Sequence, residues 1–95
     1  MKYEFSNIDY KKQLKDIIDH FGTYSQKVKA VEELAELQVA ILHGNDVENI
    51  IEEIADVQIM IDQLKIIYRA DLVVEKVMNE KINRTLTIME MCTDE

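Results

Sequence analysis

Apolar residues recur along this chain at spacings of three and four rather than alternating at two, which is the period of helix and not of strand. Breaks in the pattern are few, because there is no proline and the only glycines are Gly22 and Gly44. The spacing predicts a first helix from about Asp9 to His20, ended at Gly22. A second runs from Ser25 or Gln26 to about His43, with Gly44 at the position just past its end. Asn45 or Asp46 caps a third that reaches about Arg69, and Asp71 caps a fourth that reaches about Met91.

The faces of these helices suggest how they pack. The second carries a broad apolar sector of Val28, Val31, Leu34, Ala35, Val39 and Leu42 beside a narrow acidic one. On the fourth, Val74, Met78, Ile82 and Met89 form the core stripe. The third is apolar nearly all the way round and must be covered on every side. The expected fold is therefore all-α, a four- to five-helix antiparallel bundle completed by oligomerisation, as a homodimer or homotetramer.

Ninety-five residues suit one domain, expected to span 1–95. A single cysteine, Cys92, permits no internal disulfide and suggests a reducing, intracellular setting. The N-terminal stretch lacks an apolar signal-like run, and no segment has the roughly 18 uncharged apolar residues of a membrane span, so a cytoplasmic protein is expected. Nineteen acidic against 11 basic residues give a formal charge of −8, which repels nucleic acid backbones. A polyanionic small ligand would then need a metal ion or a local Lys/Arg cluster to bind.

Two acidic pairs have the spacing that places both carboxylates on one helix face: Glu33 with Glu36, and Glu53 with Asp56. Spacing alone is weak in so acidic a chain, and Asp16 with Asp19 shares it. Setting adds weight. Glu53 projects between Val57 and Met60, and Asp56 between Met60 and Ile67, so both fall inside an apolar arc where a lone charge is costly. Two antiparallel helices joined near Gly44 would bring the pairs together. Four carboxylates without histidine or cysteine make a hard oxygen site, suited to Mg²⁺ or Mn²⁺ rather than zinc.

The string Glu32-Glu33-Leu34-Ala35-Glu36-Leu37, followed on the next helix by Glu52-Glu53-Ile54-Ala55-Asp56-Val57, resembles the paired ExxE and ExxD signature of the MazG-like all-α NTP pyrophosphohydrolases. The resemblance extends from Gly22 and Gln26 to Glu80-Lys81-Ile82-Asn83-Arg84. It implies Mg²⁺-dependent cleavage of a nucleoside triphosphate between the α- and β-phosphates, a nucleotide-pool house-cleaning activity. Glu33, Glu36, Glu53 and Asp56 would ligate the metal, with Glu32 supporting them, and either Glu33 or Glu36 is open to orienting the attacking water instead. Lys81, Arg84, Asn83 and Asn79 would grip phosphate, their alternative being a solvated polar face. Gln26, Phe21 and Tyr24 would meet the base, although the two aromatics are equally at home in a core.

The rival reading is a non-catalytic helical oligomerisation or regulatory module whose acids make salt bridges. A di-iron carboxylate bundle is disfavoured, because neither His20 nor His43 lies three residues from a glutamate. The five methionines read as core filler.

Overall fold

The computed structural model describes residues 7–44 and 46–92, which form four helices with no strand among them: α1 (Asn7–Phe21), α2 (Thr23–His43), α3 (Val47–Ile67) and α4 (Asp71–Cys92). Each junction has a local cause. Gly22 alone separates α1 from α2. Its N–H donates to Ile18 O at 2.8 Å and its carbonyl accepts from Gln26 N at 3.1 Å, at a φ of 94° that side-chain-bearing residues rarely adopt. Gly44 follows α2 in an extended rather than left-handed conformation (φ −95°). It is needed for a different reason, since a Cβ there would collide with the Ala40 carbonyl oxygen.

Asp46 caps α3, accepting from Glu48 N at 3.0 Å and Asn49 N at 3.4 Å. The alternative cap, Asn45, lies outside the described residues. The end of α3 comes at Ile67, two residues before the expected one, because Arg69 turns left-handed (φ 53°) and its N–H closes onto Ile66 O. Asp71 is the first residue of α4 rather than its cap. The cap position falls to Ala70, whose carbonyl accepts from Val74 N at 2.8 Å.

The α2–α3 hairpin is the most extensive packing in the chain, with α1 laid against both helices. Among the described residues the buried apolar set is small: Leu14, Ile18, Ala30, Ala40, Val57 and Met60. Three polar residues are buried with them, Gln26, Glu33 and Gln63. On α2 the inward stripe is thus Gln26, Ala30, Glu33 and Ala40, with Leu37 half-buried beside them. This corrects the expected apolar sector: Val28, Val31, Leu34, Val39 and Leu42 are all exposed. Small residues at 30 and 40 let the helices approach closely, and the bulky face is left outward.

The expected core stripe of α4 is likewise corrected. Val74 is half-buried, whereas Met78, Ile82 and Met89 are exposed, because α4 touches the other helices only near its start, packing on α3 and pairing Asp71 with Lys11 of α1, and then leaves the bundle. The radius of gyration is 16.9 Å, against about 12 Å for a compact domain of this length. The chain does not close a four-helix bundle by itself. No helix among the described residues is long and apolar enough to cross a membrane.

Polar ties fix the angle of α1. The Tyr10 hydroxyl donates to Asp62 Oδ2 at 2.7 Å, while Gln58 Nε2 donates to Asp62 Oδ1 at 3.2 Å and Lys65 Nζ stands 3.4 Å from the same oxygen. Burial, the hydrogen bond and the Asp62 charge all resist ionisation of Tyr10, and its pKa is raised to about 12. The sign follows from a folded value above the unfolded one. The stability Tyr10 contributes is complete below pH 10 and is lost as pH rises through about 12. The tyrosinate absorbance is expected to contain a component near pH 12 that Tyr10→Phe deletes, with the variant less stable at neutral pH by about 1 kcal/mol in urea melts. A titration curve unchanged by the substitution would show that the Asp62 bond does not persist in solution.

Candidate metal centre

The hairpin sets the acidic residues of α2 against those of α3. One carboxylate oxygen from each of Glu33, Glu53 and Asp56 lies within 4.8 Å of the others, the separation that a single cation bridges. The three differ in burial: Glu33 is buried, Glu53 half-buried and Asp56 exposed. Asp56 therefore departs from the buried setting expected for it, because it lies at the open groove between α1, α2 and α3. Glu36 stands outside this trio and is exposed, although its charge is felt at Glu53. Glu32 is exposed on the same helix.

Two oxygens in this cluster, Glu33 Oε2 and Glu53 Oε2, are buried without a hydrogen-bond partner. Buried acceptors are normally paired, so each marks a position where a cation or donor belongs. The Glu33 Oε1 atom is partly compensated by Lys29 Nζ at 3.1 Å, one helical turn earlier. That hydrogen bond, with the Glu33 charge, holds the Lys29 ammonium above its ordinary pKa, and Glu32 and Glu36 add to it. Glu53 has no such relief. Its carboxyl is pushed above the ordinary range by desolvation first, then by Glu36, Asp56, Glu33 and Glu52 in turn.

The donor set fits a hard divalent ion: oxygen ligands only, net negative, with two lone pairs facing no partner. Beside the trio opens a groove of about 620 Å³ between α1, α2 and α3. Glu33 and Asp56 line one part of it, and Phe21, Gln26, Lys29 and Gln63 other parts. Two of the residues expected at a base therefore share a space with two of the expected ligands. Phe21 is held by the edge of the His20 ring, 4.6 Å between centroids. Gln26 is buried, whereas Tyr24 is 80% exposed and outside the groove.

The expected phosphate-binding residues are not brought to the acids. Lys81, Arg84, Asn79 and Asn83 all lie on the exposed part of α4, which contributes nothing to the lining of the groove. The hydroxyls of Thr85 and Thr87 merely donate to the backbone carbonyls of Lys81 and Asn83, each at 3.0 Å. Two residues escaped the sequence reading. Lys29 could have been found as the cation one turn before Glu33. Gln63, 2% exposed with Oε1 unpartnered and Nε2 directed at Met60 Sδ, continues the Asp56–Met60 stripe by three residues.

No family model matches the chain, and neither a curated protein nor a solved structure does.

The repulsion at Glu53 gives a measurable signature. Its folded pKa is raised, so the protein without metal carries no penalty from this group below the ordinary value of 4.5 and an increasing one as pH rises through the folded value. In EDTA, Glu53→Gln is expected to flatten the decline of stability above that pH and to be no less stable than the parent at neutrality. Urea melts across this range provide the comparison. A variant markedly weaker at every pH would instead make Glu53 a favourable ion-pair partner.

Proposed function

We propose that this chain is a Mg²⁺-dependent nucleoside triphosphate pyrophosphohydrolase of the MazG-like kind, converting a (d)NTP to the monophosphate and pyrophosphate. The observation that carries the reading is the Glu33–Glu53–Asp56 trio, with two orphaned buried oxygens, opening on a groove that also holds Phe21 and Gln26. Glu33, Glu53 and Asp56 would hold the metal, with Glu36, which shares a pocket lining with Glu53 and whose charge is felt there, as the fourth acid of the set. A divalent ion held there would supply charge neutralisation for the triphosphate and would lower the pKa of a bound water.

The chain's own groups do the remaining work. Gln26 offers an amide to the edge of a base, and Phe21 offers a ring for it to stack on. Lys29, with its Nζ 3.1 Å from Glu33 Oε1, sets a positive charge beside that carboxylate, and from the groove wall it can turn toward a phosphate oxygen. One of the acids, Glu33 or Glu36, orients the water.

The bulky exposed faces of α2, α3 and α4 support assembly as part of this reading. Val31, Leu42, Ile51, Ile54, Ile82 and Met89 are all at least half exposed, far more apolar surface than a monomer leaves open. Covering them with a second copy would also allow α4, with Lys81, Arg84, Asn79 and Asn83, to reach a neighbour's groove.

Pyrophosphate release from a panel of canonical and modified nucleotides, with Mg²⁺ or Mn²⁺ and with EDTA, tests the activity. Release is expected only with metal, and Glu33→Gln or Glu53→Gln should lower it by about two to three orders of magnitude. Mg²⁺ at about a hundred times its Kd should stabilise the parent by about 2.7 kcal/mol, and Glu53→Gln by clearly less. Absence of turnover together with metal-insensitive melts favours the non-catalytic oligomerisation module.

Sedimentation tests the assembly. A mass at least twice the 11.1 kDa of the chain is expected at micromolar concentration, with Lys81→Ala or Arg84→Ala raising KM while helicity is kept. A folded monomer, or unchanged kinetics in both variants, overturns the shared-pocket arrangement.

A further inference from the structure

A second groove, of about 610 Å³, opens where α1 meets the start of α2 and the turn from α3 to α4. It shares no lining residue with the acidic one. Four cationic side chains line it, Lys11, Lys15, Lys65 and Arg69, against two carboxylates, Asp19 and Asp71. Four of the chain's 11 basic residues are thus gathered in one concavity of a protein whose formal charge is −8. Such a concentration is the opposite of what the chain's overall charge would distribute at random.

The cations are not all occupied. Lys11 pairs with Asp71 at 3.1 Å and Lys65 with Asp62 at 3.4 Å. Lys15 and Arg69 line the same space and make no ion pair among the described residues. The backbone supplies donors as well. Thr23, in the first turn of α2, lines the groove, and the cap position before it is Gly22, which makes no side-chain capping bond. Asp71 opens α4 directly after Ala70, whose methyl cannot accept from the first-turn amides. Two helix starts with free first-turn amides thus meet the four side chains at one groove, and because the last turns of α1 and α3 line it too, the opposed helix dipoles offset and the positive character rests on the side chains.

We propose that this groove binds a di- or triphosphate group directly, without a metal, at a site separate from the carboxylate cluster. Four lining cations less two lining carboxylates leave a net +2, and Lys15 and Arg69, the two without an ion pair, are matched by a ligand of two or more negative charges rather than by one carboxylate. Linked phosphoryl groups offer several charges and many acceptor oxygens, spaced to meet lysines, a guanidinium and helix starts on three different elements. The volume exceeds what one phosphate fills and suits a chain of two or three. Free polyphosphate and the tail of a nucleotide present the same chemistry.

Isothermal titration of the full chain in EDTA at low salt tests this, with inorganic pyrophosphate, inorganic tripolyphosphate and a nucleoside triphosphate as probes. EDTA denies the carboxylate cluster any cation through which it could hold phosphate, so the result is independent of the proposed catalytic activity. Saturable binding is expected, weakened about tenfold or more by Lys15→Gln and by Arg69→Gly, and unchanged by Glu53→Gln. Glycine at 69 accepts the left-handed backbone there, so this variant keeps the turn while losing the charge. Equal affinity for tripolyphosphate and nucleotide assigns the site to the phosphate chain, and tighter nucleotide binding assigns it to nucleotides. The control is Lys12→Gln, on α1 but outside the groove and paired with Asp16. No saturable binding at millimolar probe overturns the proposal, as does a loss in Lys12→Gln equal to that in Lys15→Gln.

Discussion

The close approach of α2 to α3 is the constraint on which the rest of this structure depends. It requires small side chains on the inward stripe, supplied by Ala30 and Ala40, and a residue without a Cβ where the chain leaves α2, supplied by Gly44. Close approach also forces Glu33 toward Glu53 and Asp56. Desolvation is the larger cost to the Glu53 carboxylate, and repulsion from the neighbouring carboxylates adds to it. The hairpin thus stores unfavourable electrostatics at its centre that a divalent cation would convert into a favourable interaction.

That arrangement leaves little apolar material to hold the chain together. The buried set amounts to a few aliphatic residues on three helices, with Gln26, Glu33 and Gln63 occupying positions a core would normally give to leucine or valine. Polar ties compensate in part. Asp62 anchors α1 through Tyr10, and the Lys27 ammonium sits 4.7 Å from the centre of the Tyr68 ring, joining α2 to the end of α3. The aliphatic and methionine side chains that would have built a larger core face outward on α2, α3 and α4.

Charge is divided as sharply as polarity. Carboxylates gather on the α2–α3 hairpin, and cations gather where α1, α2 and the α3–α4 turn meet. The two grooves use different stripes of α1, with Ile17 and Phe21 facing one and Lys11, Lys15 and Ile18 the other. A helix that lines two grooves has little freedom to rotate without changing both, so its Tyr10–Asp62 tie bears on each.

Much was legible in the chain before folding. Periodicity gave four helices, the two glycines marked the first two breaks, and Asp46 was readable as a cap, because these depend on local backbone chemistry. The i,i+3 spacing of the two acidic pairs and the short connection near Gly44 led to an expectation of four carboxylates meeting; Glu33, Glu53 and Asp56 lie together, whereas Glu36 stands outside them. Which face of α2 turns inward was not legible. An apolar sector reads as core when hydrophobicity alone is counted, but close helix packing selected the smaller stripe of Gln26, Ala30, Glu33 and Ala40. The early end of α3 followed from the left-handed turn at Arg69, a geometry that the residue type disfavours. The exposure of Asp56, the separation of Lys81 and Arg84 from the acids and the gathering of Lys11, Lys15, Lys65 and Arg69 were decided only by tertiary structure. Each depends on where one helix stops beside another, and no periodicity within a single helix contains that distance.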